Sequence, residues 1–354
     1  MPIPPLSGHE GIRHRLVGAI ASGRLPQALL FEGPRGVGKQ RLALWLAQAL
    51  VCEAPASERE NGEGCGRCRH CTMVLGLSHP DVHWFVPVEL ATRGADADKQ
   101  VELVREALAE EMAARRGQPL YEPAAGLASH GIASVRLLLG RLALTPALAR
   151  RKVFILGDAE RLVPQPGADA AANALLKALE EPPADTVFVL TAVEPDALPA
   201  TILSRVVRVR VARLADSIVA AFAQRQLGLT AQRELAERVG AAEGCIGKLL
   251  ASGTPGELGA GAAERFLTAV AAGPVERYAF ALAQQPFQAR GAFTEMLDGL
   301  LRRLREHART GRETGKVVTA ISRVLEARGL AQGNVNPQLV AAVLGQAVAE
   351  GGPA

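Results

Sequence analysis

Two groups of residues near the start of the chain have the types and spacing to do chemistry. The first is Gly33-Pro34-Arg35-Gly36-Val37-Gly38-Lys39, a G-x-x-x-x-G-K pattern that follows a short apolar run and opens a helical one. Glycines at 33, 36 and 38 let the backbone curl so that its amides face an anion. The helix N-terminus adds positive potential, and Lys39 can reach terminal phosphates of ATP or ADP. The plain alternative is a Gly-rich strand-to-helix turn that binds nothing. The second group is Cys52, Cys65, Cys68 and Cys71, spaced C-x12-C-x2-C-x2-C. Three thiols within seven residues can fold round one ion, and Cys52 closes a tetrahedron. Four thiolates suit zinc and leave no open position, so the site reads as structural. An iron–sulfur run would want a further Cys beyond Cys71, where position 75 is Leu75. Four unconnected buried thiols are the alternative, which the polar flanks Arg67, Arg69 and His70 disfavour. Cys245 stands alone and reads as a small core residue.

Hydrolysis asks for more than a phosphate loop. Position 40 is Gln40, where a working loop carries a Ser or Thr hydroxyl for magnesium. The partner strand, Phe154-Ile155-Leu156-Gly157, ends in Asp158, but the next residue is Ala159 and not the expected carboxylate. Glu160 comes one residue later and points elsewhere if the backbone continues regularly. Asp158 can equally be a strand-end turn residue. Nucleotide binding stays open, and magnesium-dependent hydrolysis is disfavoured.

The elements that must position these groups alternate. Gly11 to Ala21 has helical spacing, Ala28 to Phe31 reads as a buried strand, and Lys39 to Leu50 is helical again. Strands are expected over 82–88, 152–156, 186–191 and 206–211, with helices over 133–144 and 168–181, the last stopped by Pro182-Pro183. Strand–helix alternation predicts an α/β fold with a parallel sheet. From Arg213 the strands stop. Short helices at 218–227, 230–239 and 246–251 form a small group. A Gly-rich joint at 253–261 precedes a longer helical block, whose apolar faces are Phe266, Leu282, Leu297, Leu300, Leu301, Val317, Ile321, Val324, Leu339, Val343 and Leu344. The polar stretch of about 90–130 reads as a loosely ordered insertion, with an exposed helix over 100–115.

Bulk properties bound the answer. The chain has 354 residues, 48% apolar and 21% charged, which suits a globular protein of two or three domains. A net charge of +4 does not indicate wholesale nucleic-acid coating. The opening Met1-Pro2-Ile3-Pro4-Pro5 is not a signal peptide, and no run is apolar enough to span a membrane. Clustered cysteines fit a reducing, cytoplasmic setting.

Several motifs in order resemble the bacterial clamp-loader branch of the AAA+ family. They are Leu25-Pro26-Gln27-Ala28, the phosphate loop, the four cysteines, His79-Pro80-Asp81, the run from Asn173 to Pro183, and Leu203-Ser204-Arg205, together spanning about 8–211. The resemblance implies an AAA+ P-loop domain over 1–212 carrying a zinc knuckle at 52–71. It also implies a small helical lid over 213–254 and an all-α collar for oligomerisation over 255–354. It implies a non-hydrolysing stator in a five-subunit ring with delta and three tau or gamma copies, which loads the sliding clamp on primed DNA using ATP. In that family the Arg of a Ser-Arg-Cys motif acts on the neighbour's nucleotide. Here the segment is Ser204-Arg205-Val206, with Arg205 as the trans arginine finger. Apart from the family, Arg205 reads as a solvated cation. Thr191-Ala192-Val193 lacks the polar pair of a first nucleotide sensor, and Gly247 or Lys248 stands where an active subunit has its second sensor arginine. Two other classes stay in view: a tau- or gamma-like motor ATPase, and a zinc-dependent nucleic-acid-binding module. Against the latter, the knuckle lacks interleaved aromatics.

Overall fold

The structure is a computed structural model that describes residues 3–89, 96–118, 128–163, 169–250, 255–286, 292–309, 314–332 and 335–351. These residues form two compact units, one up to residue 250 and one beyond it. The first begins with α1 (Glu10–Ala21), β1 (Ala28–Glu32) and α2 (Lys39–Val51). It continues through α3 (Arg69–Leu75), β2 (Val82–Phe85), α4 (Ala97–Gly117), α5 (Ile132–Leu142), β3 (Lys152–Leu156) and α6 (Ala170–Glu180). Then come β4 (Thr186–Ala192), the short α7 (Ala200–Leu203), β5 (Val207–Arg210), α8 (Asp216–Leu227), α9 (Gln232–Ala242) and α10 (Ile246–Leu250).

The five strands form one sheet in the order β2-β3-β4-β1-β5, and every pairing is parallel. This is the parallel α/β arrangement that the sequence predicts. All residues of β3 and β4 are buried, so both faces of the sheet are covered, as their unbroken apolar runs require. Edge strand β5, Val207-Arg208-Val209-Arg210, is largely exposed and charged, which blunts its open edge. Helix α2 is buried nearly all round, from Leu42 to Ala49, and packs against the sheet behind the phosphate loop.

The His79-Pro80-Asp81 motif has a structural explanation. The Asp81 carboxylate is buried and accepts backbone N–H bonds from Ala147 (2.5 Å), Leu148 (2.8 Å) and Ala149 (2.7 Å). Those amides lie just ahead of β3, so Asp81 ties the entry of β2 to the entry of its neighbour. The adjoining imidazoles form a chain: His79 and His70 share a 2.8 Å ring-nitrogen bond, and His79 Nδ1 accepts the Asp81 N–H.

The expected loose insertion is corrected. Its core is a 21-residue helix, α4, opened by Asp96 accepting the Lys99 N–H. Val104 and Leu108 are buried in the main core. Arg115 is buried too, bonded to Glu111 (2.9 and 3.1 Å) and stacked over Trp84 at 4.6 Å. A single antiparallel bridge, Val88 to Ser129, joins the two ends of the stretch. Residues 90–95 and 119–127 lie outside the described residues.

Within the first unit a separate apolar cluster of Leu214, Val219, Phe222, Ala223, Val239, Ala242 and Leu249 holds α8, α9 and α10 together. The second unit contains α11 (Pro255–Ala272), α12 (Pro274–Leu282), α13 (Ala292–Arg309), α14 (Thr314–Gln332) and α15 (Pro337–Gly351). The predicted Gly-rich joint is therefore helical from Pro255 on, while 251–254 lie outside the described residues. Phe266, Leu297, Leu300, Leu301, Val317, Val324 and Leu344 form the core, with Ile321 packed against it. Leu282, Leu339 and Val343 do not join it and face solvent. No described helix is long and apolar enough to cross a membrane.

The Asp81 tie makes a measurable prediction. Asn at 81 offers one acceptor oxygen for three amides, so Asp81→Asn lowers unfolding stability by about 1–3 kcal/mol. Burial alone would raise the Asp81 carboxyl, but the three amides outweigh it and hold it below its ordinary 3.8. The stabilisation is therefore complete above pH 3.8 and is lost as pH falls through the lower folded value. Melting curves from pH 6 to pH 2 check this: wild type loses more stability than Asp81→Asn at the acid end.

Candidate functional site

The phosphate loop lies at the carboxyl end of β1, between β4 and the edge strand β5, at the end of the sheet where such folds place ligands. Gly33 runs so close to β5 that a Cβ there would lie 2.3 Å from the Val211 carbonyl oxygen, and its φ is 157°. The loop curls into α2 as predicted, but its lysine is turned inward. Lys39 is buried, and its Nζ donates to the Gly33 (2.9 Å) and Pro34 (3.0 Å) carbonyls of its own loop. Burial pushes its pKa down, opposed by the nearby Asp158 and Glu160 carboxylates.

Three other segments hold the loop in this form. His9, from the residue before α1, donates its Nε2–H to the Val37 carbonyl (2.9 Å). Gln40, which replaces the magnesium hydroxyl, lays its amide against the tip of β3: a Cβ at Gly157 would come 2.9 Å from Gln40 Cδ. The Gly247 N–H of α10 donates to the Gly36 carbonyl (2.8 Å). The backbones meet there so closely that a Cβ on Gly247 would lie 2.6 Å from Gly36 Cα. Gly36 has φ 78°, so glycine is needed on both sides of this contact for different reasons.

The tip of β3 departs from the simple expectation. Asp158 adopts a left-handed backbone (φ 51°), and its N–H donates to the buried Thr191 hydroxyl at 3.0 Å. That turn breaks the strand phase and swings Glu160 inward, so the expectation that it points elsewhere is corrected. Glu160 Oε1 accepts the Val193 N–H (3.0 Å), while Oε2 is buried without a partner among the described residues. Burial, with the Asp158 carboxylate beside it, pushes its pKa up to about 7. Sequence reasoning missed His130, fully buried with Nε2 bonded to the Gly157 carbonyl (2.7 Å); burial lowers its pKa to about 4. It also missed His9, a lone histidine with no motif around it.

The four cysteines converge. Their sulfurs all lie within 4.8 Å of one another, so together they could hold one metal ion. Cys52 sits at the C-terminus of α2, and Cys68 caps α3, accepting the Cys71 N–H at 3.5 Å. The Cys65 N–H donates to Cys52 Sγ (3.4 Å) and the Cys68 N–H to Cys65 Sγ (3.3 Å). Burial would raise the Cys65 thiol, but hydrogen bonds from the Arg67 and Cys68 amides outweigh it and bring it to about 6. Cys245 is fully buried and apart, as expected.

Arg205 lies elsewhere. It follows α7 and precedes β5, whose first residue, Val207, is level with Leu29 near the beginning of β1. Because the strands are parallel, Arg205 is at the amino edge of the sheet and the phosphate loop is at the carboxyl edge. Four residues of strand, roughly 13 Å, separate the two levels. Arg205 Nη1 donates to the Thr201 carbonyl (2.6 Å) and the Ser204 hydroxyl (3.1 Å), and Nη2 to the Glu180 carboxylate.

The contact between α10 and the loop can be tested on stability. Gly247→Ala forces backbone apart and lowers unfolding stability by roughly 1–3 kcal/mol. Gly140→Ala, in α5 with nothing within 4 Å of its added Cβ, raises it by about 0.5–1 kcal/mol. Urea unfolding of both variants gives opposite signs if α10 is docked as described; a neutral Gly247→Ala contradicts the docking.

Residues 8–215 match the family model described as DNA polymerase III, delta subunit. DNA polymerase III subunit delta' of Yersinia pestis is 32% identical over 191 residues, 54% of this chain and 43% of that protein. The Escherichia coli (strain K12) subunit delta' is 31% identical over 191 residues, 54% of this chain and 44% of that protein. DNA polymerase III subunit tau of Bacillus subtilis (strain 168) is 26% identical over 213 residues, 60% of this chain and 29% of that protein. The matched stretch spans less than half the length of these relatives. The family match takes in more than half of this chain, with the whole sheet and its phosphate loop. The chain therefore belongs to the DNA polymerase III delta-subunit family, with subunit delta' among its relatives.

Proposed function

We propose that this chain is a non-hydrolysing stator of a clamp-loader ring that supplies Arg205 to the ATP bound on a neighbouring subunit. The observation that carries the reading is the polarity of the sheet. Arg205 lies at the amino edge, where it cannot serve the loop on its own chain. A guanidinium so placed serves catalysis only across an interface, where it stabilises charge on a transferring phosphoryl group. Ser204 orients it through the 3.1 Å bond.

The local site supports the other half of the reading. Lys39 is occupied by loop carbonyls, Gln40 fills the place of the magnesium hydroxyl, and Glu160 is bonded to the Val193 amide. A motor subunit needs these groups free for nucleotide, magnesium and water. ATP or ADP would have to displace Lys39 from Gly33 and Pro34 to enter. The tau- or gamma-like motor is accordingly the weaker reading.

Division into an AAA+ domain (1–212), a lid (213–254) and a collar (255–354) fits the separate apolar clusters. In the collar, Val275, Tyr278 and Leu282 of α12 and Leu339 and Val343 of α15 are exposed. They recur at helical spacing on two helices that pack together, which suits burial against other subunits. We assign tau or gamma and delta as the partners, with the sliding clamp and primed DNA engaged through the assembled ring in the cytoplasm.

The cysteine site is assigned to zinc. A Zn–S bond of about 2.3 Å sets tetrahedral S···S edges of about 3.8 Å. Cys65–Cys71 and Cys52–Cys68 are each 3.9 Å apart. With four protein ligands the ion's part is structural, bracing the end of α2 against α3.

Two outcomes follow. Purified, reduced chain carries one zinc, and stripping it with a chelator lowers the melting temperature of the first unit; protein free of metal with an unchanged melt contradicts the assignment. In a reconstituted ring, Arg205→Ala leaves assembly intact and slows clamp- and DNA-stimulated ATP hydrolysis. At the adjacent site the loss is on the order of 10³-fold. In bulk it is smaller, since other motor sites carry their own arginines. Arg205→Lys rescues poorly because it lacks the planar fork. Unchanged turnover with Arg205→Ala leaves Arg205 a structural residue.

A further inference from the structure

Arg205 does not stand free. Its guanidinium has five N–H donors in all. Both Nη1 hydrogens go to its own chain, to the Thr201 carbonyl (2.6 Å) and the Ser204 hydroxyl (3.1 Å). Nη2 is paired with the Glu180 carboxylate, and Nε is buried with no partner among the described residues. A bidentate grip on phosphate needs two parallel N–H groups on one accessible edge. No edge of this guanidinium offers two. The fork can take a phosphate only after at least one of these bonds lets go.

Glu180 is the natural one to yield. Thr201 and Ser204 belong to the same short turn as Arg205, whereas Glu180 reaches it from the end of α6, 25 residues earlier in the chain. A carboxylate in the last turn of a helix opposes the helix dipole, so Glu180 is unfavourable there without a cation. Its carboxylate is 44% exposed and Arg205 is 30% exposed, so the pair stands at the surface where a neighbour would dock. Exposed pairs are weak, and a di- or trianionic phosphate carries more charge than one carboxylate.

We propose that Glu180 is a latch on the arginine finger. It holds Arg205 parked against its own chain and releases it when the polyphosphate of a neighbouring subunit comes within reach. This rests on the trans role of Arg205 given above. Glu180 is then a positioning residue. It acts on how readily the finger engages, and not on the chemistry once the finger is engaged. The tax of unlatching falls on apparent nucleotide affinity, in proportion to the fraction of chains with Arg205 free. For an exposed ion pair this fraction limits the effect to about two- to fivefold.

The test uses a reconstituted ring in which only the motor subunit next to this chain keeps an intact phosphate loop. Steady-state ATP hydrolysis is titrated with wild type, Glu180→Gln, Glu180→Ala, Arg205→Ala and the double variant Glu180→Gln/Arg205→Ala. Melting of each isolated chain confirms that the surface changes leave the fold in place. The latch predicts that both Glu180 variants lower the KM for ATP about two- to fivefold with kcat unchanged. The shift disappears in the Arg205→Ala background. An unchanged or raised KM in the Glu180 variants, with Arg205→Ala still slow, overturns the latch and leaves the trans finger standing. A KM shift that persists without Arg205 also overturns it, since Glu180 then acts by another route. Full activity of Arg205→Ala removes the trans finger and the latch together.

Discussion

Everything functional in this chain depends on one constraint: all five strands run the same way. In a parallel sheet the carboxyl ends of the strands share one edge and the amino ends the other. The phosphate loop, Asp158, Glu160 and Val193 therefore converge on one side, each following a strand. Arg205 and Glu180 precede strands β5 and β4 and fall on the opposite side. The sheet of the first unit thus has the phosphate loop at one edge and Arg205 at the other. The trans role proposed for Arg205 sets that edge against the phosphate-loop edge of a neighbouring subunit.

The nucleotide edge is closed by many small contacts. No single bond does it: His9 holds Val37, Gly247 holds Gly36, Gln40 lies on Gly157, and Lys39 curls onto Gly33 and Pro34. Each of these hydrogen bonds is worth only about 1 kcal/mol, but together they define a loop shaped for its own chain. The buried Glu160, raised to about 7, is the least comfortable group here. Its Oε2, without a partner among the described residues, sits in the field of Asp158 and Lys39.

Much of this was legible in the sequence because the signals were local. β3 and β4 are unbroken apolar runs, the loop glycines have fixed spacing, and the cysteines lie within twenty residues or so. What escaped depended on contacts far apart in the chain. Helix α4 carries its apolar stripe, Val101, Val104, Leu108 and Met112, among many charged residues, and the stacking of Arg115 over Trp84 joins side chains far apart in the sequence. Glu160 was misdirected because the left-handed Asp158 shifts the phase of the strand, which no propensity foretells. Leu282, Leu339 and Val343 obey the helical period but sit on the outer side of it, since periodicity finds a stripe and not what covers it. The role of Gly247 was half visible as a missing arginine. That its backbone itself meets the loop needed the fold.

The central claim is that the chain exports its chemistry from one edge while its own site stays shut. The most direct measurement is a structure of the assembled ring with a non-hydrolysable ATP analogue. The account predicts nucleotide on the neighbouring motor subunit with the Arg205 guanidinium within hydrogen-bonding distance of its γ-phosphate. In the same structure Glu180 has let go, and Lys39 remains on the Gly33 and Pro34 carbonyls. The contradicting result is analogue and magnesium in this chain's own loop, with Lys39 turned outward onto phosphate and Arg205 still on Glu180.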